Sequence, residues 1–135
     1  MPFLVKPFLF TIVIPSRRVA DLLCDAFEGA SKAWVSASEP IGWDRPEGHS
    51  TPWYDDESFV QSEALSFKII YDGKFDDEGS AESSRQLGHE DLVRGLGLMV
   101  IHAQGSLSKI IAGSPVAIDA DRFLQCVVLG EVIYN

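Results

Sequence analysis

Few side chains in this chain could do acid–base, nucleophilic or metal chemistry near neutral pH. They are three histidines, His49, His89 and His102, and two cysteines, Cys24 and Cys126. No pair stands at ligand spacing: H-x-x-x-H and C-x-x-C are both missing, so no metal site is expected. His89-Glu90-Asp91 is a local cluster, but it would need ligands from elsewhere and reads more simply as the solvated start of a helix. Cys24 and Cys126 are far apart and set among apolar residues, the pattern of buried reduced thiols. There is no G-x-x-x-x-G-K-[ST] phosphate loop and no G-x-S-x-G nucleophile elbow. No catalytic residue and no cofactor is assigned.

Carboxylates are plentiful, with a net charge of −9. Fourteen acids and four bases fall between Glu39 and Asp91, so that stretch carries all of the excess. Two runs stand out, Asp55-Asp56-Glu57 and Asp76-Asp77-Glu78. They lack the spacing and the glycine of a calcium loop. They also lack the burial that would separate two carboxyl pKa values for general acid–base work. Such a balance argues against direct nucleic-acid binding, which depends on lysine and arginine at phosphates. It suits a basic protein surface, with these six residues as the partner-binding patch. The plainer alternative is an acidic loop that is simply solvated.

Pro40 to Asp56 combines Pro40, Gly42, Pro46, Gly48 and Pro52 with Trp43, Trp53 and Tyr54. Punctuation this dense excludes a regular element. The three rings with Arg45 could stack on bases and hold a phosphate, or they could pin the loop to the core. Glu28 and Trp34 flank a turn, where they could cap backbone groups and seal the core, or line a shallow ligand pocket.

The elements that must position these residues follow from periodicity. Val19, Leu22, Leu23, Ala26 and Phe27 repeat as one helix face, which predicts a helix over 17–28 with Ser16 as N-cap and Gly29 as its positive-φ terminator. Strands are expected at Phe8–Ile14, Lys32–Ser38 and Leu65–Tyr71, the last with strict alternation. Asp72-Gly73 is a turn signal after which Lys74-Phe75 would begin a short return strand. An acidic exposed loop is expected at about 76–86. Further helices are expected over Gly88–Ala103, over Ser106–Ala112 and from Asp119 or Ala120 onward. Gly95 and Gly97 weaken the first of these by about 1 kcal/mol each, and admit a close neighbour. The whole is predicted as one α+β domain: a small antiparallel sheet on three to four helices, with a long loop at about 39–62. No apolar run reaches the roughly 18–20 residues of a membrane span. Phe3–Ile14 is not followed by a small-residue cleavage pattern, so a cytoplasmic location is expected.

Two stretches resemble small bacteriophage and prophage proteins. Asp21-Leu22-Leu23 through Glu28-Gly29-Ala30-Ser31-Lys32-Ala33-Trp34 is similar to their D-L-L-x-x-A-x-E-G-G-S-x-Y-W. Asp121-Arg122-Phe123-Leu124-Gln125 with Gly130-Glu131 and Tyr134 is similar to their D-x-F-L-Q-x-x-x-x-G-E-x-x-Y-G ending. Leu96-Gly97-Leu98-Met99 resembles a G-L-x-x-M stretch of the same group. Ala30 and Ala33 depart from the pattern, where a glycine and a tyrosine are usual. The resemblance implies a mobile-element source and the cytoplasm of a bacterial host. It suggests a non-enzymatic inhibitor of a host defence complex, of the anti-CRISPR kind, that covers a basic nucleic-acid-binding surface. The alternatives are a small-ligand or cyclic-nucleotide sponge built on the aromatic loop, and an enzyme whose site would gather around His89 or Glu28. A homo-oligomer is compatible with each.

Overall fold

The computed structural model describes residues 2–5, 11–73 and 81–134. It is an α+β domain with two small antiparallel sheets and five α-helices among the described residues. The first sheet pairs β1 (Phe3–Val5) with β2 (Ile12–Ile14), Leu4 opposite Val13. The second has the order β3 (Val35–Pro40), β4 (Ser66–Asp72), β5 (Glu82–Gly88). The helices are α1 (Ser16–Asp25), the short α2 (Glu57–Val60), α3 (His89–His102), α4 (Gln104–Ala112) and α5 (Ala117–Leu129). No helix of the described residues is long and apolar enough to cross a membrane.

The expected helix 17–28 forms its apolar face as read: Val19, Leu22, Leu23 and Ala26 are all buried. Its ends differ. Pro15 holds the cap position, its carbonyl accepting from Arg18 and Val19, and no side chain caps the helix, so Ser16 is the first helical residue instead. At the other end the chain passes into a π-helical turn over Ala26–Ala30, closed by Ser31 N–H to Ala26 C=O at 2.9 Å. Gly29 is not among the positive-φ glycines. The wider turn carries the chain past Gly29 and brings Ser31 and Trp34 onto α5.

β4 alternates as predicted, with Phe67, Ile69 and Tyr71 buried and Lys68 exposed. Its neighbours were only half foreseen. The residues 12–14 of the expected 8–14 strand pair with Phe3–Val5 and do not join this sheet, and residues 8–10 lie outside the described residues. The third strand is β5, in a stretch expected as loop. β5 carries no apolar alternation; only Leu87 reaches the core. It is held by the ladder to β4 and by Arg85, whose guanidinium donates to the Val128 carbonyl at 2.7 Å. The proposed start at Lys74-Phe75 lies outside the described residues.

The centre is α5, whose Ala120, Phe123, Leu124, Val127 and Val128 are fully buried against α1, α3 and α4. It starts earlier than expected because Asp119 reaches back to the Val116 N–H at 2.8 Å and accepts from the Ser106 hydroxyl at 2.7 Å. That satisfies a free first-turn donor. Gly95 of α3 lies against Val127 of α5: a Cβ built there would stand 2.3 Å from Val127 Cγ2. Gly97 has open space in the same sense. The C-terminal end of α4 is capped by Arg18, which donates to the carbonyls of Ile110 and Ile111.

Candidate functional site

Several polar side chains that could act chemically are spent on holding the fold. Asp121, one turn into α5, accepts from the Ser31 hydroxyl at 2.7 Å and from the Trp34 indole at 2.8 Å, both at Oδ1. Its other oxygen takes the Gln125 amide at 2.8 Å. Gln125 is fully buried, and its Oε1 accepts from the backbone N–H of Ile133 and Tyr134 while its Nε2 donates to the Tyr134 carbonyl. One side-chain amide thus satisfies three tail groups in place of a strand. The Tyr134 ring then stacks on Trp34, centroids 5.8 Å apart and nearly parallel. Trp34 seals the core at 3 % exposure. The two terminal stretches singled out in the sequence therefore meet in one network.

The candidate partner-binding acids are placed differently from one another. Asp55 ion-pairs with Arg17 and accepts from the Cys24 thiol at 3.7 Å. Asp56 takes the Trp43 indole N–H at 2.9 Å and caps α2 through the Phe59 N–H. Glu57 is the half-buried first residue of α2. Asp76, Asp77 and Glu78 lie outside the described residues. The run 55–57 is thus largely turned to internal bonds rather than offered whole to a partner.

A second set of carboxylates, which the helix period places off the apolar face but which does not read from the sequence as a partner-binding patch, lines the outward side of α1 and its π turn. Asp21, Asp25 and Glu28 are exposed there. Partial burial, then Asp21 and Glu28, hold the Asp25 carboxyl above its ordinary range. Arg17 sits at the edge of this face, shared between Asp21 at 3.0 Å and Asp55. Glu28 shows no bond to a backbone group of the turn; with burial as the larger cause, its carboxylate near Tyr54 makes that phenol hold its proton more tightly. Burial, with Asp55 and Glu28, pushes the Cys24 thiol up to about 12, so it is a poor nucleophile. Cys126 is buried and pushed up to about 11.

The aromatic loop is pinned. Trp53 is buried and packs against Phe67, Phe27, Tyr54 and Phe59. Trp43 packs on Phe59, with the Arg45 guanidinium 5.8 Å from its ring centroid. Trp34 belongs to the other aromatic group, with Tyr71 and Tyr134. The three rings proposed to stack on bases, Trp43, Trp53 and Tyr54, thus fall in one cluster joined through Phe59, with Trp53 buried within it. His89 stacks on Phe3 at 4.8 Å, and its neighbour Asp91 caps α3 by accepting from the Gly88 N–H. An opening of about 450 Å³ runs beside β3 and is lined by residues 32–38 with Phe27 and Asp72. Among the described residues no three metal-ligating side chains converge.

No protein-family model, no curated protein and no solved structure matches the chain.

Proposed function

We propose that the chain acts by binding: it presents an acidic face to a basic, nucleic-acid-handling surface of a partner. The finer form is a phage- or prophage-derived inhibitor of a host defence complex, of the anti-CRISPR kind. One observation carries the reading. Asp21, Asp25, Glu28 and Asp55 share a neighbourhood in which Arg17 is the cation in contact, and partial burial, then Asp21 and Glu28, raise the Asp25 carboxyl above its ordinary value. Uncompensated charge of this kind costs the free protein and is relieved by a cationic partner. The face therefore centres on α1, next to the 55–57 run rather than on it.

The test is co-purification with candidate nuclease and surveillance complexes at low and high salt. A partner captured at low salt, released at high salt, and lost from the Asp21→Asn, Asp25→Asn, Glu28→Gln triple variant supports the reading. These positions are exposed and the substitutions keep the side-chain size, so the fold survives. Absence of a salt-sensitive partner, or capture unchanged by the triple variant, counts against it.

A further inference from the structure

We propose that the outer edge of β3 takes an extended, basic segment of the partner as an added strand. The inference rests on the acidic-face reading and names how the partner is held. β3 stands at one end of the order β3-β4-β5, so one side of its backbone pairs with β4 and the other has no described strand beyond it. The opening beside it touches every residue from Lys32 to Ser38. Of the lining residues, Val35 to Ser38 belong to β3, Lys32 to Trp34 to the turn before it and Asp72 to the end of β4, so the opening follows the start of β3.

The register says which groups are offered. The Ile41 N–H donates to the Ser66 carbonyl at 2.9 Å, and Glu39 and Ala37 lie opposite Lys68 and Ile70 in the same phase. Antiparallel pairs alternate, so Ser38 and Pro40 direct their backbone groups away from β4. Ser38 offers a donor and an acceptor there, and Pro40 an acceptor only. Proline keeps the edge short, which protects it against indefinite pairing. Phe27 and Val35 give the groove an apolar wall for the stem of a lysine or arginine, while Asp72 lines it and Glu39 and Glu28 stand beside it in the chain. Lys32 is the cation in the lining. A second copy of this chain is the less suitable occupant, because two chains of net charge −9 repel.

The probe is the amidated octapeptide (Lys-Val)4, compared with two twins N-methylated on the lysines or on the valines. A strand added on one side uses alternate N–H groups only. One twin should therefore bind at least tenfold more weakly than the parent peptide and the other within about twofold of it, by titration calorimetry on the full chain. The parent peptide should also slow amide exchange at Ser38. Equal, salt-sensitive binding of all three peptides overturns strand addition and leaves the acidic-face reading standing. No binding by any of them overturns this inference, whereas the parent reading falls only if the co-purification fails. Protection of Ser38 that grows with protein concentration in the absence of peptide assigns the edge to a second copy, and likewise overturns it.

Discussion

Two glycines of α3, Gly95 and Gly97, sit two residues apart and should respond in opposite directions to the same substitution. In Gly95→Ala the new methyl would meet Val127 Cγ2 at 2.3 Å, Val127 Cα at 2.9 Å and Val127 N at 3.0 Å. The methyl contact can be eased by turning Val127 to another rotamer, but the two backbone contacts cannot. α3 and α5 must therefore separate by several tenths of an ångström, which loosens Leu92, Leu96 and Met99 against the buried face of α5. Overpacking of this kind costs up to about 3 kcal/mol, and the better helix propensity of alanine returns about 1 kcal/mol. The net loss is about 2 kcal/mol, or about 7 °C in Tm for a chain of this length. In Gly97→Ala the methyl enters open space, so only the propensity gain of about 0.5–1 kcal/mol remains, for a rise of about 2–3 °C. Thermal and urea unfolding of the two variants against the parent chain give both numbers. A second variant sharpens the first: Gly95→Ala with Val127→Ala should recover only part of the combined single losses, because the backbone contact persists. If Gly95→Ala is as stable as the parent, or if Gly97→Ala falls as far, the close packing of α3 on α5 is wrong.

Asp121→Ala leaves the Ser31 hydroxyl and Trp34 indole without their acceptor and should cost about 2–4 kcal/mol; urea unfolding measures the loss, and faster amide exchange at Ile133 and Tyr134 shows the tail released. Cys24, with its thiol pushed up to about 12, should react with a maleimide at pH 8 about a thousandfold more slowly than an unhindered cysteine; Asp55→Asn should speed it only modestly, since burial is the larger cause. Asp25→Asn should stabilise the protein at neutral pH. The folded-state pKa of Asp25 lies above its ordinary 3.8, so its ionised form is the penalised one. The gain should be full above the raised pKa, shrink as the pH falls through it, and vanish below the ordinary value; unfolding midpoints of both forms across acid pH check the sign.

How far the sequence could be read depended on whether a residue's role was local. α1 and β4 were legible because a single period, 3.6 or 2, placed Leu22, Leu23, Phe67 and Ile69 on one side. α5 was legible for the same reason, although its start was not, because Asp119 acts through Ser106 on another helix. β5 was illegible: Glu82–Gly88 has no apolar alternation, and what makes it a strand is the exposed backbone of β4 and the reach of Arg85 to Val128. The separation of Ile12–Ile14 from the main sheet was hidden likewise, since pairing partners leave no trace in the strand itself. At the candidate site, the acid runs drew attention by being consecutive, while Asp21, Asp25 and Glu28 are spaced by helix turns and come together only once α1 forms. One signal was available and unused: Asp121 and Gln125 stand four apart on a helix otherwise apolar nearly all round, which demands buried partners for both.

The tail clamp also decides where function can reside. Ser31, Trp34, Asp121, Gln125 and Tyr134 are each occupied by another of the set or by the tail. A substituent of that network cannot turn outward to a partner without unmaking the seal over Tyr71 and the core. The network therefore serves the scaffold, and the surfaces left for a partner are those it frames. Two adjoin it directly. The π turn that delivers Ser31 to Asp121 carries Glu28 on its outer side, and Trp34, anchored by its indole, leads into β3 and lines the groove along it. Anchoring Trp34 fixes the direction in which β3 leaves the helices, and so the side on which Ser38 presents its free backbone groups. An Asp121→Asn variant that keeps the fold but weakens the indole contact should thus loosen the edge of β3 before it loosens α5, and amide exchange resolved along residues 35–40 and 120–128 distinguishes that order from a uniform loss.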